Sequence, residues 1–145
     1  MASETFIYVT YIRTTPDKLW SALTTPEFQR QYWFGIHQES EWRAGSSWKM
    51  LFTDGRVADS GEVLEADAPR RLVLKWRNEF REDLKDAGYS RCTYELEPHE
   101  EAVKLTVTHV SESRAFIEAV SGGWPKILSN LKSMLETGQV AFVNK

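Results

Sequence analysis

The chain has 145 residues, 18 Lys and Arg against 21 Asp and Glu, a net charge of −3 and one cysteine. This length suits a single domain over residues 1–145 that buries roughly 70% of its unfolded surface without disulfide or metal support. Scattered cations make no footprint for nucleic acid, no apolar run nears the roughly 20 residues of a membrane span, and the opening MASETFIYVTYIR lacks a secretory leader, so a reduced cytoplasm is the expected setting.

Residues 5–13, TFIYVTYIR, are dense in β-branched and aromatic side chains and predict a first strand. Thr15-Pro16-Asp17 then predicts a helix start, with Thr15 as cap and Pro16 in the first turn. Leu19, Trp20 and Leu23 give that helix a short apolar face. Thr25-Pro26-Glu27 repeats the signal for a second short helix carrying Phe28, Tyr32 and Trp33. Short strands are expected over 35–40 and 46–53, the latter with Leu51 breaking its alternation, and Asp54-Gly55 is a hairpin turn. Residues 57–66 form a weaker strand, interrupted by Gly61. Residues 71–77 place Leu72, Leu74 and Trp76 on one face.

The charged run 78–88, NEFREDLKDAG, reads as a long mobile connection or a frayed strand extension. Residues 89–97 alternate cleanly, with Cys92, Tyr94 and Leu96 on one side. Residues 103–110 do the same with Leu105, Val107 and His109. A short helical lead-in is expected over 114–120. The long helix is expected from Gly122 to Gly138, with Pro125 in its first turn and Gly138 as a left-handed cap. Its apolar stripe is Trp124, Ile127, Leu128, Leu131, Met134 and Leu135. Lys126, Ser129, Asn130, Lys132, Ser133 and Glu136 suit a wet face.

A strand, two short helices, some six strands in hairpin succession and a long helix predict an α+β domain with helices on one face of an antiparallel sheet. The strings GGWPKILSNLKSMLETG, TPDKLWSALTTPEFQRQYW and GEVLEADAPRRLVLKW resemble the family of activator of heat-shock-protein ATPase homologues, a branch of the SRPBCC superfamily with its START and birch-pollen-allergen-like domains. The resemblance spans essentially the whole chain. It implies the helix-grip fold: a curved antiparallel sheet of six or seven strands around a long C-terminal helix, with a deep apolar cavity between them. Sheet and helix also follow from the residues, whereas the cavity comes from the resemblance alone.

Tests for common enzyme signatures fail. There is no phosphate loop, no GxSxG, no CxxC, and His37, His99 and His109 lack metal-ligand spacing. No metal, cofactor or catalytic pair is expected, and Cys92 reads as a buried structural thiol. Glu62 and Glu65 fit a solvated strand face, or point inward if a bulge sits near Gly61. The aromatic content stands out: six Trp, five Tyr and seven Phe can fill a core or line a concave apolar site. The expected cavity lining is Trp33, Trp48, Met50, Trp76, Tyr94, His109, Phe116 and Trp124, although Trp124, like Trp20, also stands at a family motif position with a structural look. His109 is either a core histidine satisfied by a backbone carbonyl or a polar anchor in the cavity.

Three functions follow as expectations. The first is binding of a hydrophobic or aromatic small molecule. The second, resting on the resemblance, is a co-chaperone-like interaction domain that binds a heat-shock ATPase, or a stress-response protein. The third is a cavity enzyme of cyclase or hydrolase type using His109, Tyr94 or an inward glutamate. An exposed edge strand could also pair two copies as a homodimer.

Overall fold

The computed structural model describes residues 3–143. Its elements are β1 (Glu4–Ile12), α1 (Pro16–Thr24), α2 (Pro26–Tyr32), β2 (His37–Ser40), β3 (Ser47–Leu51), β4 (Val57–Asp67), β5 (Arg71–Asn78), α3 (Glu82–Lys85), β6 (Ser90–His99), β7 (Ala102–Ser111) and α4 (Arg114–Thr137). The strands form one antiparallel sheet in the order β1-β7-β6-β5-β4-β3-β2. Consecutive hairpins run from β2 to β7, and β1 joins beside the last of them. One face of the sheet is dry. Ile12, Trp48, Met50, Val63, Leu72, Leu74, Trp76, Cys92, Tyr94, Leu96, Leu105, Val107 and His109 are buried there, under α4.

Local chemistry accounts for the element boundaries. The Thr15 hydroxyl accepts the Lys18 amide and starts α1, with Pro16 in the first turn. Leu51 breaks the alternation of β3 because the register with β4 slips between Met50 and Leu51. Gly61 stands in mid-strand for a steric reason: a Cβ there would lie 1.7 Å from the Lys75 carbonyl oxygen on β5. The Gln29 side chain ties α2 to the sheet. It donates to the Leu23 carbonyl at 2.7 Å and accepts the Gln38 amide at 2.7 Å, and Gln38 in turn accepts the Trp48 indole N–H at 2.9 Å.

Three expectations need correction. The long helix begins at Ser113, whose hydroxyl accepts the Phe116 amide, and runs unbroken through Gly122, Gly123 and Pro125 to Gly138. Pro125 therefore sits inside the helix, where it deprives the Ser121 carbonyl of its usual partner. Burial of Phe116 and Ile117 before it, and of Trp124, Ile127 and Leu128 after it, offsets that loss. The ending is as expected: Gly138 is left-handed (φ 86°) and returns its N–H to the Met134 carbonyl.

The second correction concerns residues 78–88. They hold a one-turn helix, α3, instead of a loose connection: the Asn78 side chain accepts the Arg81 amide at 2.8 Å, and Leu84 is buried. The third concerns Asn130, assigned to the wet face and in fact fully buried. Its amide donates to the Tyr32 carbonyl (3.4 Å) and the Phe142 carbonyl (2.9 Å), and its carbonyl accepts the Phe142 amide (2.7 Å). The side chain thus fastens the segment after α4 and the end of α2 to the helix. Asn130→Ala should cost about 1–3 kcal/mol, because buried backbone groups lose their partner. Urea denaturation checks this, with Ser129→Ala as the neutral comparison.

Candidate functional site

Between α4 and the dry face lies a cavity of about 300 Å³. β3 contributes Met50, β4 Ala58 and Asp59, β5 Trp76 and Asn78, and α4 Phe116, Val120, Gly123, Trp124 and Ile127. Trp33 and Ile36 close it from the end of α2, while Phe52, Phe80, Arg81 and Leu84 close it from the β3–β4 turn and the α3 segment. Phe52 and Phe80 meet edge-on at 5.2 Å. The half-exposed Phe80 and Arg81 stand where the space meets solvent.

Strand alternation delivers the inner wall, since Met50 and Trp76 fall on the inward parity of their strands. The helix delivers the roof: Phe116, Val120, Gly123 and Ile127 recur at three or four residues. Gly123, having no side chain, leaves room beneath α4. The polar groups at the wall are few. Asp59 and Asn78 are buried and face each other in the β4–β5 register, and Arg81 reaches Asp83 at 2.9 Å.

Trp33, Met50, Trp76, Phe116 and Trp124 line this space; Trp48, Tyr94 and His109, expected beside them, lie behind the wall. Trp48 packs against the back of Trp76 at 4.7 Å. Tyr94 abuts Trp124 at 6.0 Å, on the same inward face of β6 as Cys92. Burial holds both Tyr94 and Cys92 well above their ordinary pKa values, so Cys92 is no nucleophile at neutral pH.

His109 is fully buried among Trp76 (5.1 Å), Phe116 (5.1 Å) and Trp124 (6.2 Å). The Trp124 indole N–H, which can only donate, points at His109 Nδ1 at 3.2 Å. Nε2 must then carry the proton and donate to Ser90 Oγ at 2.8 Å, leaving the Ser90 hydroxyl to donate to the Trp76 carbonyl at 3.1 Å. The histidine is thus satisfied, by a serine and an indole instead of a backbone carbonyl, and it locks the orientation of Trp124. Burial lowers its pKa from 6.5 to about 3.

This relay carries a pH dependence with a definite sign. Below pH 6.5 the unfolded chain takes up a proton at His109 that the native state refuses until about pH 3. The stabilisation is fully present above 6.5 and is lost as pH falls, by at most about 1.4 kcal/mol per pH unit. Between pH 7 and pH 5 the expected loss is about 2 kcal/mol. Urea titrations at the two values measure it, and His109→Asn should flatten the difference.

Phe52, Phe80, Asp59, Asn78, Leu84 and the helical Val120 and Ile127 also line the space without having been expected there from the sequence. Ile127 was visible as a stripe residue. Phe80 and Leu84 depend on how the α3 segment folds back. Among the described residues, no cluster of His, Cys, Asp and Glu is arranged to hold a metal, and no helix is long and apolar enough to cross a membrane.

The family model for "Activator of Hsp90 ATPase homolog 1-like protein" matches residues 13–136. No curated protein matches the chain. Among solved structures, CalU16 from Micromonospora echinospora superposes with a TM-score of 0.78 at 20% identity, over 97% of this chain and 80% of that one. The Aha1 dimer from Colwellia psychrerythraea gives 0.75 at 20% identity, over 93% and 98%. PFC0360w, an HSP90 activator from Plasmodium falciparum, gives 0.74 at 24%, over 90% and 95%. At such identities the likeness is one of fold: the seven strands and α4 form the helix-grip arrangement of these proteins.

Proposed function

This chain belongs to the Activator of Hsp90 ATPase homolog 1-like family, and from that premise we propose that it binds a small hydrophobic or aromatic molecule beneath α4. The observation that carries the reading is the space of about 300 Å³ walled by Trp33, Met50, Phe52, Trp76, Phe116 and Trp124. An apolar cavity of roughly 150 Å³ is enough to take up benzene, so this one has room for two fused rings. Its character supports the same reading: a mostly apolar wall rich in aromatic rings, with Asp59, Asn78 and Arg81 as the few polar groups to orient a ligand. A reduced cytoplasmic setting fits the buried Cys92.

Titration with naphthalene-type fluorophores and fatty acids tests the proposal. A ligand specific to the native state, at 100 times its dissociation constant, should stabilise the protein by about 2.7 kcal/mol and raise its melting temperature. Trp33, Trp76 and Trp124 should report occupancy through their emission. Unchanged emission and melting across the panel would remove the support for ligand binding.

A second reading is favoured by the fold shared with the Plasmodium HSP90 activator: this chain would dock on a heat-shock ATPase and raise its turnover. An ATPase assay with the host chaperone separates the two readings. The cavity-enzyme reading draws no support from His109 or Tyr94, which lie behind the wall, where burial keeps the imidazole neutral and the phenol protonated.

A further inference from the structure

Strand β1 is an edge of the sheet, and its outward side chains are apolar: Ile7 is 59% exposed, Val9 46% and Tyr11 46%. The direction of its backbone groups follows from the β6–β7 hairpin. There His99 and Ala102 close a two-residue turn and so form a hydrogen-bonded pair. Counting by two across β7 makes the even-numbered residues of β1 the ones bonded to β7. The odd-numbered residues therefore turn their N–H and C=O groups to the open edge. Two contacts from α4 agree: the Arg13 amide donates to Glu136 at 2.8 Å, and Lys132 donates to the Tyr11 carbonyl.

The helix thus stoppers the C-terminal end of this edge and leaves Thr5, Ile7 and Val9 open. Proteins ordinarily guard such edges with charge, proline or brevity. The other edge of the sheet, β2, is only four residues long. Residues 5–10, TFIYVT, carry neither charge nor proline.

We propose that β1 pairs antiparallel with β1 of a second copy about a two-fold axis through Ile7, joining the two sheets into one. In that register Ile7 meets its own mate and Thr5 meets Val9, each as a hydrogen-bonded pair exchanging two backbone bonds. On the inner side Phe6 meets Tyr8, an aromatic cross-strand pair of the kind that stabilises sheets. Glu4 falls opposite Thr10, so no like charges oppose each other. Sliding the axis to Val9 would set Ile7 against Tyr11 and Thr5 against Arg13, whose edge groups α4 already holds. The stopper therefore selects the register. A second copy is the occupant the strand itself specifies, because this uncharged segment is complementary to its own reverse and a two-fold contact closes on itself.

Sedimentation and covalent trapping test the proposal on the full chain. The expected mass is twice 16.8 kDa. Ile7→Lys, at an exposed site, should set two ammonium groups face to face and weaken association at least tenfold. Val57→Lys, an exposed site on β4 where it pairs with β3 at the other side of the sheet, should leave it unchanged. Opposed Cα atoms in a hydrogen-bonded pair lie about 5.5 Å apart, within disulfide reach. Ile7→Cys should accordingly cross-link under mild oxidation, while Thr5→Cys alone should not, because its opposite residue is Val9. The buried Cys92 stays out of the reaction. A monomer at 100 µM, or a dimer indifferent to Ile7→Lys and not trapped by Ile7→Cys, overturns the proposal.

Discussion

Leu131→Asp is expected to leave the chain unfolded at 25 °C. Leu131 is fully buried on the face of α4 that presses on the sheet, amid a core of aliphatic and aromatic side chains. Truncating a buried leucine costs about 2–5 kcal/mol by itself. The carboxylate adds a desolvation penalty, with no Lys or Arg buried among the described residues to offset it. Together these losses rival the whole stability of a typical domain, about 5–15 kcal/mol. Far-UV circular dichroism and thermal melting read the outcome directly. Leu135→Asp, one turn further on and only half-buried, should lose far less and keep a cooperative transition. A native-like melt for Leu131→Asp would contradict the burial of this stripe.

The stripe was legible in the sequence because its residues recur at helical spacing, and the buried strand faces were legible because theirs recur at two. The helix's true start was not. Gly122, Gly123 and Pro125 are local stop signals, and within 122–125 they outweigh every local preference for continuing. The structure overrides them because Phe116 and Ile117, about two turns upstream of Trp124, bury against the same core. Nothing local to residues 114–125 reveals that. Asn130 misled for a related reason: an amide on a helix reads as solvated unless one knows that the chain returns at Phe142 to bond it at both ends. Such contacts depend on tertiary return, which periodicity does not encode.

The site divides the same way. Met50 and Trp76 were named from strand parity, Trp124 from helical spacing and Trp33 from its place at the end of the second short helix, and the structure sets them with Phe116 around the space under α4. Trp48, Tyr94 and His109 share the inward parity yet lie one layer back, because parity gives the face of a sheet and not the depth behind its neighbours' rings. Phe80 and Leu84 were missed because the charged run 78–88 conceals its apolar positions, and Phe52 because the register slip after Met50 breaks the alternation of its strand. Phe80 and Leu84, four residues apart, were the available sign that this segment folds over the opening as a helical turn.

Trp76→Ala should cost about 3–5 kcal/mol, and it asks more of the site than any other substitution on the wall. The ring is the centre of an aromatic cluster, with Trp48 at 4.7 Å, His109 at 5.1 Å, Trp124 at 5.9 Å and Trp33 at 6.3 Å. It is at once part of the cavity wall and the partition before Trp48 and His109. Removing it should merge the cavity with the vacated ring volume, while the Ser90–His109–Trp124 relay keeps its bonds, since Ser90 uses only the Trp76 backbone carbonyl. The relay then predicts how the loss is recovered. With the far wall still in place, the enlarged apolar space should take up indole, as an engineered apolar cavity takes up benzene. Millimolar indole should raise the melting temperature of Trp76→Ala and do much less for the parent protein. Trp76→Phe should lose less than Trp76→Ala and respond weakly to indole. A loss below about 1 kcal/mol would show that the cluster does not depend on its central ring. A full loss without indole rescue would show that the wall collapses inward, and the cavity would then owe its shape to Trp76 and not to the curvature of sheet over helix.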